Sequence, residues 1–152
     1  MNVSTIMSKD ISMCGPENTL EDAALRMWES DCGSLPICDN AGMPVGIVTD
    51  RDIAMASMLK HKALWEITAQ EVSNGRAVFT CRQDDDVIMA LKTMLAQKVR
   101  RLPVINNEGR AVGMLSIDDI VIFAQRGSRG LHTPELSFDD AMSTLKAVCK
   151  HH

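Results

Sequence analysis

The sequence predicts an α/β chain of the α+β kind, built from two pseudo-symmetric β-α-β-β-α repeats and followed by a separate C-terminal helix. Three observations lead there. The stretch Gly46-Ile47-Val48-Thr49-Asp50-Arg51-Asp52-Ile53 returns, loosely, as Gly113-Met114-Leu115-Ser116-Ile117-Asp118-Asp119-Ile120. The same shift of 67 residues lays Leu35-Pro36 on Leu102-Pro103, Asn40 and Gly42 on Asn107 and Gly109, Ala23 on Ala90 and Met27 on Met94, with no gap between about residues 7 and 53. Strand-like alternation and helix-like spacing of apolar residues also follow one another in the same order in both copies. A repeat that cannot bury its apolar face alone buries it against its copy, so two copies are expected to make one module.

After a short polar lead, Asp10 to Cys14 alternates as a half-buried strand does, and Gly15-Pro16-Glu17-Asn18 breaks it. Thr19 suits an N-cap, with Asp22 three positions on, for a helix to about Ser30 whose Leu20, Ala23, Ala24 and Met27 share one face. Cys32 to Cys38 is expected as a strand, Asp39 to Gly42 as a hairpin turn and Met43 to Val48 as the returning strand. The helix opening after Thr49 carries Ile53, Ala54 and Ser57 to about Lys60. His61 to Asn74 joins the copies, with a short helix around Leu64 to Glu71 whose Leu64, Trp65 and Ile67 are expected on the core.

The second copy repeats the order: strand Ala77 to Cys81, polar turn Arg82 to Asp86, helix Val87 to Gln97, strand Val99 to Ile105, turn Asn106 to Gly109, strand Ala111 to Leu115 and helix Asp118 to Gln125. A flexible break at Arg126-Gly127-Ser128-Arg129-Gly130 and a turn at His132-Thr133-Pro134 precede a last helix over residues 137–150, capped by Ser137 with Asp140 at its third position. Its stripe of Phe138, Ala141, Met142, Leu145, Val148 and Cys149 is expected to dock through Phe138, Met142 and Leu145, because three such side chains left in water forgo about 1.5 to 3 kcal/mol each. The boundaries that follow are 3–62 and 63–126 for the two copies and 127–152 for the extension.

Composition excludes several classes. A net charge of -4, a pI near 5.5 and 3% aromatic residues do not suit a surface that displaces counterions from phosphates or stacks bases, so no nucleic-acid partner is expected. No apolar run reaches the roughly 20 residues of a membrane span, and the N-terminus has no signal-peptide pattern. Neither a membrane partner nor an address outside the cytoplasm is expected. The five cysteines show no C-x-x-C spacing, which fits a reducing compartment better than a disulfide framework or a zinc knuckle. Cys14 and Cys81 occupy equivalent positions, open to a paired metal or redox site and to the blander alternative of half-buried strand cysteines. His61, His132, His151 and His152 fall in linker or tail, with the last two set aside as native or tag-derived, and no G-x-S-x-G, P-loop or H-E-x-x-H occurs, so neither catalytic residues nor metal ligands are expected. Asp84-Asp85-Asp86 suits a solvated acidic turn at a helix N-terminus better than a cation site.

The chemistry concentrates in Thr49-x-x-Asp52 and Ser116-x-x-Asp119, each placed where a strand ends and a helix begins. One such pattern alone is a helix cap, the hydroxyl accepting a backbone N–H and the acid complementing the dipole. Two at matched positions suit more. A carboxylate accepts hydrogen bonds from both hydroxyls of a ribose, while a hydroxyl beside exposed helix N–H groups suits a phosphate.

These residues resemble a known family. The repeat order, the Leu-Pro of the middle strand and the glycine, two apolar residues, Ser or Thr and Asp of the motif, twice in register over roughly residues 3 to 125, are similar to a tandem pair of CBS domains, the Bateman module. The resemblance implies one cleft with Ile11, Met13, Gly33, Ser34, Pro36, Thr49, Arg51 and Asp52, and another with Val78, Thr80, Arg100, Arg101, Pro103, Ser116 and Asp119. The first departs from the frequent pattern, with Cys32-Gly33-Ser34 where the second has Val99-Arg100-Arg101. The implied function is that of a non-enzymatic cytoplasmic sensor, homodimeric, which takes an adenosine-containing ligand such as AMP, ADP, ATP, NAD or S-adenosylmethionine and signals to a partner protein. The alternative is a structural or dimerisation module with vestigial clefts. Because Arg51 lies on Asp118 under the repeat, the first cleft is expected to favour the phosphorylated ligand.

Overall fold

The computed structural model describes residues 1–126 and 134–150. The break expected at 127–130, His132 and Thr133, and the terminal His151 and His152 lie outside the described residues. In order, the elements are α1 (Val3–Ile6), α2 (Leu20–Glu29), β1 (Ser34–Cys38), β2 (Pro44–Thr49), α3 (Asp50–Lys60), a 3-10 turn (Leu64–Glu66), α4 (Ala69–Ser73), β3 (Cys81–Arg82), α5 (Val87–Gln97), β4 (Arg101–Ile105), β5 (Ala111–Ser116), α6 (Ile117–Phe123) and α7 (Phe138–Cys149). This is the mixed α/β repeat the sequence predicts, with the C-terminal helix in place.

The chain separates into two compact units, one of Asp10–Val78 with Glu108–Ala111 and one of Met1–Lys9, Phe79–Asn107 and Val112–His152. In the first unit β1 and β2 pair antiparallel, Ser34 opposite Thr49 and Ile37 opposite Gly46, around a hairpin whose Gly42 needs its φ of 82°. Asp39 holds that turn, its carboxylate accepting from the N–H groups of Ala41 and Met43 at 2.9 Å each. In the second unit the sheet order is β3-β4-β5, with Cys81 opposite Val104 in a parallel pair.

Each leading strand is shorter than its alternation suggested. Residues 10–13 and 77–80 form no ladder, leaving a single bridge, Cys14 to Ile37, in one unit and the two-residue β3 in the other. The segments run through half-buried ground, and only Cys14 and Cys81 reach the neighbouring strand fully buried.

The cores repeat position for position. Cys14, Leu20, Ala23, Met27, Leu35, Ile37, Val48 and Ile53 are buried in one unit; Cys81, Val87, Ala90, Met94, Leu102, Val104, Leu115 and Ile120 are buried in the other. What completes each core is exchanged. The helical turn α1 puts Val3 and Ile6 into the core of the second copy, and the turn α4 with Ile67 and Ala69 fills the core of the first. Within each unit a glycine admits this turn. A Cβ on Gly46 would stand 2.9 Å from Ser73, and one on Gly113 would stand 2.8 Å from the Met7 sulfur and the Ser8 carbonyl oxygen.

Three details differ from the sequence expectation. On α3, Ala56 is buried while Ala54 faces solvent, because Ile53 and Ala56 set the inward face. Trp65 is exposed; of the three residues expected on the core only Leu64 and Ile67 pack inward, joined by Ala69 and Val72. On α7 the buried line is Ala141, Thr144 and Val148, with Leu145 partly covered, whereas Phe138 and Met142 are half exposed. Thr144 fits this face by turning its hydroxyl back to the Asp140 carbonyl at 2.9 Å, so its methyl can face α5 and α6, against which α7 packs.

Candidate ligand clefts

Both S/T-x-x-D segments form reciprocal capping boxes. At the first, the Asp52 N–H donates to the Thr49 hydroxyl at 3.1 Å and the Thr49 N–H donates to Asp52 Oδ2 at 2.9 Å. At the second, the Asp119 N–H donates to the Ser116 hydroxyl at 3.2 Å, and Asp119 Oδ2 accepts the Ser116 N–H at 2.8 Å and the Ser116 hydroxyl at 2.6 Å. One oxygen of each carboxylate thus serves the helix start.

The other oxygens have different fates. Asp52 Oδ1 accepts from the Arg76 guanidinium at 2.7 Å, an ion pair whose acid side chain is 13% exposed and whose arginine is 59% exposed. Asp119 Oδ1 meets only the Ser8 hydroxyl, at a long 3.4 Å, and no ion pair reaches it among the described residues. Neither Arg76 nor Ser8 was singled out in the sequence. Both lie on the leading segments whose exchange between the copies periodicity alone does not reveal.

The rims differ as well. In both copies the residue after the cap donates its N–H to the strand before, Asp50 to the Gly33 carbonyl at 3.1 Å and Ile117 to the Arg100 carbonyl at 3.0 Å. Ile117 then turns into the core. Asp50 stays exposed, its carboxylate 3.1 Å from where a Cβ on Gly33 would stand, accepting the Arg51 N–H at 2.8 Å. The absent side chain at residue 33 and the acid at residue 50 are therefore neighbours: any side chain at residue 33 would require the Asp50 carboxylate to turn aside.

The remaining candidates fall into place around these junctions. Ser34 and Pro36 are buried in β1 and Pro103 in β4; Arg51 and Arg100 are exposed and Arg101 half buried. Ile11 is half buried, Met13 is exposed with its carbonyl held by Arg26 at 3.0 Å, and Val78 and Thr80 are half buried on the segment before β3. In the first unit a cavity of about 120 Å³ opens among Pro16, Ile37, Val45, Gln70 and Ser73 to Arg76.

The cysteines at matched positions are not activated. Burial pushes the Cys14 thiol to about 11, against a smaller opposing pull from Arg26, and pushes Cys81 to about 12 with help from Asp85. Asp86 caps α5 by accepting the Ile88 N–H at 2.8 Å, which holds its carboxyl below the ordinary value. Among the described residues no three His, Cys, Asp or Glu side chains gather to hold a metal ion, and no helix is long and apolar enough to cross a membrane.

The helix-strand-strand-helix unit, built twice with a capped strand-to-helix junction in each copy, defines a tandem α/β repeat class of fold. The family model for the CBS domain matches residues 3–59 and 70–125, and the chain belongs to that family. Hypoxic response protein 1 of Mycobacterium tuberculosis is 31% identical over 144 residues, which cover 95% of this chain and 91% of that protein. A solved structure of Hypoxic Response Protein I with two coordinated zinc ions, 30% identical, covers 82% of this chain and all of that one with a TM-score of 0.74. The CBS domain pair of protein MJ0100, solved with 5'-methylthioadenosine and S-adenosyl-L-methionine, is 29% identical over 80% of this chain and 94% of that one, with a TM-score of 0.65. The chain spans 61% of one curated relative and 23% of another, the homoserine O-acetyltransferase of Methanohalobium evestigatum, so some relatives carry the domain pair beside an enzyme.

Proposed function

We propose that this protein is a CBS-pair regulatory module that binds an adenosine-containing ligand and passes its ligand state to a partner protein, without catalysis of its own. The observation that carries the reading is the matched pair of capped S/T-x-x-D junctions, set in a family whose MJ0100 member, 29% identical, holds two adenosyl compounds. An Asp119 oxygen with one long partner suits a ribose hydroxyl, and Arg100 and Arg101 supply cations for a phosphate. On that charge balance the second cleft takes the anionic nucleotide, AMP, ADP, ATP or NAD. The first, with Asp50 beside Gly33, suits a less anionic compound such as S-adenosylmethionine. The order expected from Arg51 is the opposite one; Asp50, Arg51 and Arg100 are all exposed, so ligand titrations into Asp52→Ala and Asp119→Ala protein decide between the two orders.

Residues Leu25, Trp28, Met58 and Leu59 on α2 and α3 are exposed, and a homodimer that covers them is part of the reading. The opposing reading, a structural module with vestigial clefts, draws on the caps: both carboxylates already serve a helix, and each Asp52 oxygen already accepts a bond. Calorimetric titration of AMP and of S-adenosylmethionine into protein stripped of copurified ligand decides between them. Dissociation constants below millimolar, about 4 kcal/mol of affinity, support the sensor; no heat from either ligand supports the structural module.

A further inference from the structure

We propose that Arg76 is an internal competitor for the first cleft, a specificity residue that holds the Asp52 carboxylate against a ribose and leaves the second cleft as the more accessible one. The proposal deepens the adenosyl-binding reading and rests on it.

The geometry is asymmetric in a way the sequence repeat is not. Asp52 has both oxygens engaged, Oδ2 by the Thr49 N–H at 2.9 Å and Oδ1 by the guanidinium at 2.7 Å. A ribose diol approaching Asp52 meets a carboxylate whose outer oxygen already takes the guanidinium, and that cation occupies one lone pair and the space beside it until it leaves. Asp119, with the same inner bond at 2.8 Å, offers its outer oxygen to a ligand at the cost of one long contact with Ser8.

Arg76 is placed to act in this way. It follows Gly75, whose φ of 78° sets a sharp bend after α4, and nothing stands within 4 Å of that glycine's absent side chain, so the bend has open space around it. Arg76 also walls the cavity of about 120 Å³ bounded by Ile37, Val45, Gln70 and Asn74. Swinging the guanidinium out frees the outer oxygen of the carboxylate. With the arginine 59% exposed and the acid 13% exposed, the pair is a charge-assisted bond at the protein surface, strong enough to compete and weak enough to yield.

An arginine beside an acidic cleft has a second role open to it, a direct bond to a ligand phosphate, and the two roles differ in sign. Adenosine and AMP, titrated by calorimetry into an Asp119→Ala background that confines binding to the first cleft, separate them. If Arg76 competes, Arg76→Ala tightens both probes by about five-fold, the equivalent of about 1 kcal/mol for such a pair. Arg76→Lys, which keeps the cation, then stays within about two-fold of the parent, and adenosine binds the parent more tightly as salt screens the pair. If Arg76 holds phosphate, Arg76→Ala weakens AMP and leaves adenosine unchanged, and the proposal falls. Equal affinities in parent and Arg76→Ala for both probes also overturn it while the adenosyl reading stands. Absence of binding in the wild type, in either single variant and in the double variant removes the adenosyl reading itself, and the competitor with it.

Discussion

Position by position, Leu20 and Val87, Leu35 and Leu102, Ile37 and Val104, and Ile53 and Ile120 are buried in both copies, while the residue after each cap is exposed Asp50 in one and buried Ile117 in the other. Beneath the clefts, two near-identical frames have been kept because a change of volume in a close-packed core is felt by every neighbour. At the rims that constraint lapses, and Gly33 with Asp50 has replaced what is Arg100 with Ile117 in the other copy. The difference teaches that the two copies share a scaffold without sharing an electrostatic character at the capped junctions, so on the proposed reading they are expected to take different ligands.

The strongest test of the shared frame is at the glycines that admit the leading turns. Gly113→Ala is expected to lower the free energy of unfolding by about 2 to 3 kcal/mol, since its methyl would meet the Ser8 carbonyl oxygen at 2.8 Å, a backbone atom that cannot turn aside. Gly46→Ala meets the Ser73 Cβ and hydroxyl at 2.9 Å and the tip of Ile37 at 3.0 Å; the last two can turn aside but the Cβ cannot without its backbone, and about 1 to 2 kcal/mol is expected. Urea unfolding of both variants measures the pair. Equal losses would show that the two turns are held alike and would erase this part of the contrast.

A second comparison sits at Cys14 and Cys81. An unfolded chain loses these thiol protons near pH 9, whereas the folded protein keeps them to about 11 and about 12. Above pH 9 the unfolded state therefore binds fewer protons, so stability is full below pH 9 and falls from there, both thiols contributing at once, the Cys14 share ending near 11 and the Cys81 share near 12. Urea midpoints between pH 8 and 11 follow the decline. Alkylation at pH 8 is expected to modify the exposed Cys32 and Cys149 well before Cys14 and Cys81; rapid labelling of either buried thiol would contradict the packed bridge.

At the caps the copies converge again. Thr49→Ala and Ser116→Ala each remove the acceptor for one helix N–H, and about 1 kcal/mol of stability is expected from either. Ser116 also gives its hydroxyl proton to Asp119 at 2.6 Å, so its loss is expected to be the greater by a few tenths of a kcal/mol, resolvable by denaturant midpoints at matched slopes. A greater loss from Thr49→Ala would put the tighter junction in the first copy.

Much of this was legible in the residues because the pattern is local. Val87 to Gln97 has the bounds its apolar period sets, and Thr19, Thr49, Ser116 and Ser137 cap the helices that their S/T-x-x-D segments announce. What stayed hidden is long-range. Alternation at residues 10–14 and 77–81 reports a half-buried segment, and whether it forms a ladder depends on a neighbour elsewhere in the chain. Arg76 reaches Asp52 across 24 residues and Ser8 reaches Asp119 across 111, separations at which no periodicity carries information. The stripe on α7 was visible but its centre was not, since Thr144 counts as polar in a pattern and as a methyl in a packed face.

That stripe supplies the smallest expected effect. In the second copy α7 packs on α5 and α6, while α2 and α3 of the first copy leave Trp28 and Leu59 exposed at 85% and 68%. Phe138 and Met142, each about half exposed on the outer side of α7, contribute little to the monomer because exposed apolar side chains gain little by folding. Phe138→Ser with Met142→Ser is therefore expected to change the unfolding free energy by less than about 0.5 kcal/mol, whereas Val148→Ala, on the covered face, costs about 1 to 2 kcal/mol by leaving a gap. Sedimentation run beside the melts separates the roles of the two faces. An unaltered melt with a fall in mass would put Phe138 and Met142 in an interface between copies of the chain; an unaltered melt and mass would leave them as plain surface. A loss above 1 kcal/mol in the monomer would mean that α7 docks through both faces, and the contrast between a covered second copy and an open first one would have to be drawn from other residues.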